Sequence, residues 1–360
     1  MTLQSSDKRS PSLLDASSEV FVHDLAALSP TDATAWGISG FEGELQDFSP
    51  DYWNAIAERN RDMVADVDAF DDGTDDNDDE EDFDDVDRVT ADVLRDRVCL
   101  DLPLHHQGET LANLNNIDSP VQTIRDTFLI MPRETDDDVE NLRERLSRVP
   151  DALHGYCESL AEAASQGHVA AVRQVEEVVS QCEDLADEDS VLQHLGLDEN
   201  DPVVVEAQEA FARVAGWLAE QLAPHAPHMD AVGRDRYEMF SHLHVGEFVD
   251  LDEAYQWSLE QLRDIDAQQL QVAQQLYGPG TTIREAMKKL NADERYLIRG
   301  TDALQEWMQK TADQAIADLD GVSFNIPEQA RQVECLIDPA GTGGIFYTPP
   351  SDDFSRPGRM

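Results

Sequence analysis

The stretch LDEAYQWSLEQLRDIDAQQLQVAQQLYGPG (residues 251–280) decides the fold class. Its apolar residues Tyr255, Leu259, Leu262, Ile265, Val272 and Leu276 step by 4, 3, 3, 7 and 4 positions. That is the spacing of one face of an α-helix. The run begins after Asp250 and stops at Gly278-Pro279-Gly280, where two permissive residues flank one that has no N–H to donate. A helix with a long apolar face draws most of its stability from what it packs against, so the pattern predicts a mainly α chain with a buried core.

Toward the C-terminus, a second helix is expected over roughly 301–319, ending before Gly321. The character then changes. Arg331–Ile337 and Gly343–Thr348 carry clustered or alternating apolar residues between Pro and Gly signals, which predicts two short strands. A proline-rich tail, TPPSDDFSRPGRM, follows. Toward the N-terminus, helical periodicity dominates from residue 137 onward, and Thr135 with Asp138 forms a capping pair for a helix through Leu146. Ser49-Pro50-Asp51 predicts another helix start, with serine as N-cap and proline where a missing N–H costs nothing. Turn signals lie at Ser29-Pro30 and between Gly37 and Gly43. The resulting division is an N-terminal helical segment (1–48), a helical domain (49–330) and a strand pair with tail (331–360). The expected architecture is a multi-helix array with a short β-strand pair near the C-terminus. No repeat of fixed period is visible.

Residues 71–87, DDGTDDNDDEEDFDDVD, are almost entirely acidic. Like charges at that density repel and bury no apolar area, so an acidic disordered insertion is expected at about 66–88. A calcium loop needs acidic residues at positions 1, 3 and 5 before its glycine. Counting back from Gly73 gives Asp68, Phe70 and Asp72, and Phe70 breaks the pattern. The formal net charge of the whole chain is −50, which disfavours nucleic acid and anionic membrane surfaces as partners. Four scattered cysteines (Cys99, Cys157, Cys182, Cys335) form no C-x-x-C pair, and the N-terminus lacks the apolar core of a secretory signal. These features predict a cytoplasmic protein with reduced thiols.

Candidate chemistry is sparse. A helix-borne zinc site needs two ligands on one face and a glutamate beside the first, yet the chain contains no His-Glu dipeptide. Other histidine groups are His105 and His106 near Glu109, His225 and His228, and His242 and His244 before Glu247. The last has the make-up of a transition-metal site, but in a chain with ten histidines these read first as surface or capping residues. No Walker loop and no G-x-S-x-G elbow is present. No catalytic residue and no metal ligand is assigned.

Four segments carry a resemblance: LNNIDSPVQTIRDTFLIMPRET (114–135), GRDRYEMF (233–240), LDEAYQWSLEQL (251–262) and GGIFYTPPSDDFSRPGRM (343–360). Weaker similarity begins near WGISGFEGELQDFSPDYW (36–53). On these the chain resembles the family called domain of unknown function 885, regarded as zinc-metallopeptidase-like. The resemblance implies a mostly helical peptidase whose zinc ligands lie downstream of the SRPG segment. It therefore implies that this chain is the N-terminal portion, without a metal motif, inactive alone and holding no cofactor, with zinc expected only in complete members. It also implies that Ile345, Phe346 and Tyr347 lie on a strand near the site that binds extended substrate, with Arg356 close by. A peptide substrate is then expected only if a C-terminal half is supplied, and the uncovered apolar faces predict self-association. Two rival readings are a stand-alone acidic helical interaction module and an enzyme fragment that works with a separately encoded second half.

Overall fold

The computed structural model describes residues 9–71, 84–198, 200–337, 345, 347–351 and 353–360. Among them the chain is mainly helical, with a two-stranded sheet near the C-terminus, as the periodicity predicts. It divides into two compact units. The first is Met1–Met239 with Ser351–Arg356, and the second is Phe240–Pro350 with Pro357–Met360.

The first unit opens with α1 (Leu13–Leu28), α2 (Pro30–Trp36), α3 (Pro50–Asp71) and α4 (Asp85–His106). The boundaries follow local chemistry. Ser49 Oγ accepts from Tyr52 N (3.2 Å) at the start of α3, and Asp84 accepts from Val86 N and Asp87 N (2.8 and 2.9 Å) at the start of α4. The flanks of the expected acidic insertion are thus helical up to Asp71 and from Asp85. Residues 72–83, where most of the acidic run and the Asp72-Gly73 part of the calcium pattern fall, lie outside the described residues. Leu14, Phe21, Met63, Val67, Ala91 and Val98 pack α1, α3 and α4 into a small core.

A larger core follows in α5 (Pro120–Ile130), α6 (Asp136–Ser147), α7 (Val149–Ser165), α8 (Val172–Ala186) and α9 (Pro202–Trp217). Thr135 Oγ1 accepts from Asp138 N (3.1 Å) and Asp138 Oδ2 from Thr135 N (2.9 Å), the reciprocal cap read from the sequence. The buried residues of α7 (Leu153, Tyr156, Leu160, Ala163) and of α9 (Val204, Ala207, Phe211, Val214) recur every three or four positions, so each helix turns one stripe inward. Helix α7 approaches the Asp47–Ser49 backbone so closely that a Cβ at Gly155 would lie 2.2 Å from Asp47 O. Ser159 Oγ donates to Phe48 O (2.7 Å) beside it. This clamp accompanies the left-handed backbone of Phe48 (φ 50°), an unfavourable conformation for a bulky residue, whose side chain is buried in the core.

Arg145 on α6 is fully buried. Its guanidinium donates to Glu44 O and Phe41 O (2.7 Å each), Thr34 Oγ1 (2.8 Å) and Pro30 O (3.4 Å), stapling the 30–45 segment to α6. Burial pulls it down to about 10, and the charges of Glu42 and Glu44 oppose that shift.

The second unit contains the C-terminal half of α10 (Arg234–Val245), then α11 (Leu251–Tyr277), α12 (Ile283–Leu290) and α13 (Thr301–Leu319). It also holds β1 (Val333–Glu334) and β2 (Gly358–Arg359), which pair in parallel, Val333 with Gly358 and Glu334 with Arg359. The sequence places the second strand at 343–348. The structure places it at Gly358–Arg359, and of the described residues in the expected strand (345, 347 and 348) Thr348 alone joins, through an antiparallel bridge to Arg359. Pairing is a long-range choice that local apolar clustering does not specify. Side-chain amides of α13 complete the ladder. Gln309 bonds Val333 O (2.8 Å) and Cys335 N (2.9 Å), and Gln305 donates to Cys335 O (2.8 Å).

Candidate functional site

Helix α11 spans Leu251–Tyr277, as read, capped by Asp250 and closed by a Gly278 N–H to Gln274 O bond of 2.8 Å. Its apolar stripe, however, faces outward. Tyr255, Leu262, Ile265, Val272 and Leu276 are each 50–62% exposed, and Ala273 is the buried residue of the helix. The expectation that this face lies in a buried core is corrected. Amphipathic spacing aligns the side chains but supplies no second surface to cover them. At about 1.5 Å per residue the helix is roughly 40 Å long, an extended ridge. Helix α13 is similar, with Leu304, Trp307 and Leu319 exposed. On α12, Arg284, Met287, Lys288 and Lys289 are exposed, and Lys289 Nζ lies 4.8 Å from the Tyr277 ring centroid. This basic cluster holds two of the chain's four lysines.

The residues proposed for substrate binding fall in different places. Ile345 is exposed, and Phe346 lies outside the described residues. Tyr347 is half-exposed, with its ring against Gly358, where a Cβ would meet the phenol oxygen at 2.3 Å. Arg356, in the first unit, donates from Nη2 to Ala35 O (3.1 Å) at the end of α2. Glu109 is not a partner for His105 and His106. It is buried and grips Arg236 through two bonds of 2.6 Å. The His242 ring packs on Phe248, with centroids 3.9 Å apart. No group of three or more metal-ligating side chains occurs among the described residues.

A cleft of about 330 Å³ between α7 and α9 is lined by Leu153, His154, Cys157, Glu158, Arg213 and Trp217 among others. A cysteine beside a histidine invites a nucleophile reading. Burial instead pushes the Cys157 thiol up to about 12, which keeps it protonated and unreactive near neutrality, and His154 is engaged with Glu158 at 3.5 Å. No local pattern signals this cleft, since its walls come from helices about fifty residues apart.

The model of the family described as bacterial protein of unknown function, domain of unknown function 885, matches residues 30–360. The chain belongs to that family. Comparison with curated proteins gave no match. Among solved structures, it is similar to a protein of Colwellia psychrerythraea described as a "putative lipoprotein", with TM-score 0.69 and 15% identity over 97% of this chain and 67% of that one. A "putative lipoprotein of unknown function" from Shewanella oneidensis gives 0.60 and 12%, over 95% of this chain and 62% of that one. The chain therefore spans about two thirds of the length of these structures, and at such identities the likeness is one of fold.

These findings correct three expectations. The reading as a truncated N-terminal portion of a zinc metallopeptidase falls, because the family match runs across nearly the whole chain and neither its description nor those of the solved neighbours names a peptidase. The hydrolase label and the zinc expected for complete members lose their support with it. The cytoplasmic expectation is overturned by the two neighbours, both described as lipoproteins. A weak leader signal in the sequence was too slight a basis for a location.

Proposed function

We propose that this chain is an acidic helical protein-interaction module that associates with a second copy of itself through the outward face of α11. The observation that carries this reading is the apolar stripe Tyr255–Leu276, at least half exposed at five positions. Exposed apolar surface of this extent marks an interaction site, and fully burying one large apolar side chain contributes about 1.5–3 kcal/mol. The basic cluster on α12 favours a second copy as the occupant. Arg284, Lys288 and Lys289 attract acidic surface, and a chain of net charge −50 supplies such surface at equal concentration. The lipoprotein descriptions of the two solved neighbours support a site of action outside the cytoplasm or at a membrane surface.

Sedimentation velocity between about 1 and 100 μM tests the reading. The unmodified chain is expected to associate, and the double variant Leu262→Asp, Ile265→Asp to remain monomeric with unchanged helix content. A wild-type chain that stays monomeric throughout, or a double variant that associates equally well, would sink it.

A further inference from the structure

We propose that the cleft where the last turn of α4 meets α3 binds an organic oxyanion, a phosphate or carboxylate borne on a small apolar body. This inference concerns the first unit and does not rest on the self-association reading. The cleft measures about 440 Å³ and is lined by Arg61, Leu102, Pro103, His105, His106 and Gln107. The chain holds 76 acidic residues in 360, yet none lines this cleft. Arg61 and His106 bring nitrogen donors free to meet a ligand, a guanidinium and an imidazole, whereas both His105 ring nitrogens are bonded within the fold and Gln107 Nε2 donates to Met239 Sδ (3.1 Å). Leu102 and Pro103 supply an apolar wall.

Helix capping explains part of the arrangement. Two histidines stand in the last turn of α4, the end of a helix where basic side chains are favoured. It does not explain Arg61, which α3 contributes. The side chains of Arg61 and His106 make no hydrogen bond or ion pair among the described residues, and both residues are exposed. His105 is fixed from both sides, Nε2 to Asn54 Oδ1 at 3.2 Å and Nδ1 to Thr110 Oγ1 at 2.8 Å. An amide oxygen only accepts, so Nε2 carries the proton and the ring orientation is set. Burial lowers the His105 pKa first, and the neighbouring charges of Arg61 and His106 lower it further, which places three basic groups within electrostatic reach of one another. Glu109, the next carboxylate along the chain, is withdrawn into its bond with Arg236. What is left is a cationic recess on an anionic surface, with the guanidinium geometry that suits a planar carboxylate or a phosphate.

The histidine Cε1–H signals report occupancy, with His105 and His106 assigned through His105→Gln and His106→Gln variants. The full chain is titrated at pH 7 with phenyl phosphate, with benzoate, with inorganic phosphate, and with sodium chloride at matched ionic strength. The His106 signal is expected to shift saturably with phenyl phosphate or benzoate, and whichever saturates identifies the headgroup. Arg61→Ala, a change at an exposed position, is expected to weaken that binding at least tenfold, with Arg61→Lys intermediate and the circular dichroism unchanged. The proposal is overturned if no organic anion saturates, if chloride reproduces the shifts, or if Arg61→Ala binds as tightly as the parent.

Discussion

Helices α9 and α11 are built from the same kind of pattern and meet opposite fates. In α9, Val204, Ala207, Phe211 and Val214 are buried against α7 and α8. In α11, a stripe of equal regularity stands in solvent. The contrast extends to the units that hold them. The first has two apolar cores, whereas the buried apolar residues of the second are Ala273, Ala286 and Cys335 among those described. The second unit is held instead by polar devices: the α13 glutamines on β1, the Arg359–Glu334 pair at 3.0 Å, and the Thr282–Glu285 capping box of α12. Periodicity therefore marks a helix as ready to pack, and the number of neighbours decides whether it does.

The largest expected effect tests that contrast directly. Phe211→Ala should destabilise the protein by about 3–5 kcal/mol, because it opens a cavity in a closed core. Leu262→Ala should stay within about 0.5 kcal/mol of the parent, because solvent already occupies the space around it. Urea unfolding of the dilute protein measures both, and similar costs would mean that α11 is covered in solution.

Thiol labelling sharpens the comparison between units. Cys99 is exposed, while Cys182 sits in the first unit's core and Cys335 is buried in the second unit. Burial pushes Cys182 up to about 12 and raises Cys335 as well. With an aromatic disulfide reagent at pH 8, Cys99 should react first. Cys335 should follow at least tenfold faster than Cys182, since a unit with few buried contacts opens locally at lower cost. Equal rates for the two buried thiols would show that both units open together.

A smaller effect concerns the α4 cap. Asp84 is held down at about 2, chiefly by its hydrogen bond with Arg9 and then by the N–H groups of Asp87 and Val86. An unfolded aspartate titrates near about 3.9. A carboxylate lowered on folding adds stability above its unfolded value and loses it as pH falls toward the folded one. The gap in urea midpoint between the parent and Asp84→Asn should therefore be present at pH 5 and close between pH 4 and 2. A gap unchanged across that window would remove Arg9 from the account.

Much of the local structure was legible in the residues. The starts at Pro50 and Asp136, the full span of α11 and the end of α13 before Gly321 follow from caps and breakers that act within one turn. The candidate sites were legible only in part. His105 and His106 stood out as a pair, but nothing local indicated that Arg61, over forty positions away, lines the same cleft, or that Arg236 takes Glu109 out of it. The strand at Gly358–Arg359 was likewise hidden in a Pro-Gly tail, because its partner lies some twenty-five residues upstream.

The amino-acid sequence by itself determined the helices, their ends and which side chains share each face, since 3.6 residues per turn and the capping bonds are properties of short segments. Only the tertiary structure decided which faces are covered, which strands pair, and which charges are paired off and which left to line an open cleft. Those outcomes depend on contacts between residues far apart in the chain, where the gain from burial and the cost of stranding a polar group are settled by whatever the fold brings alongside.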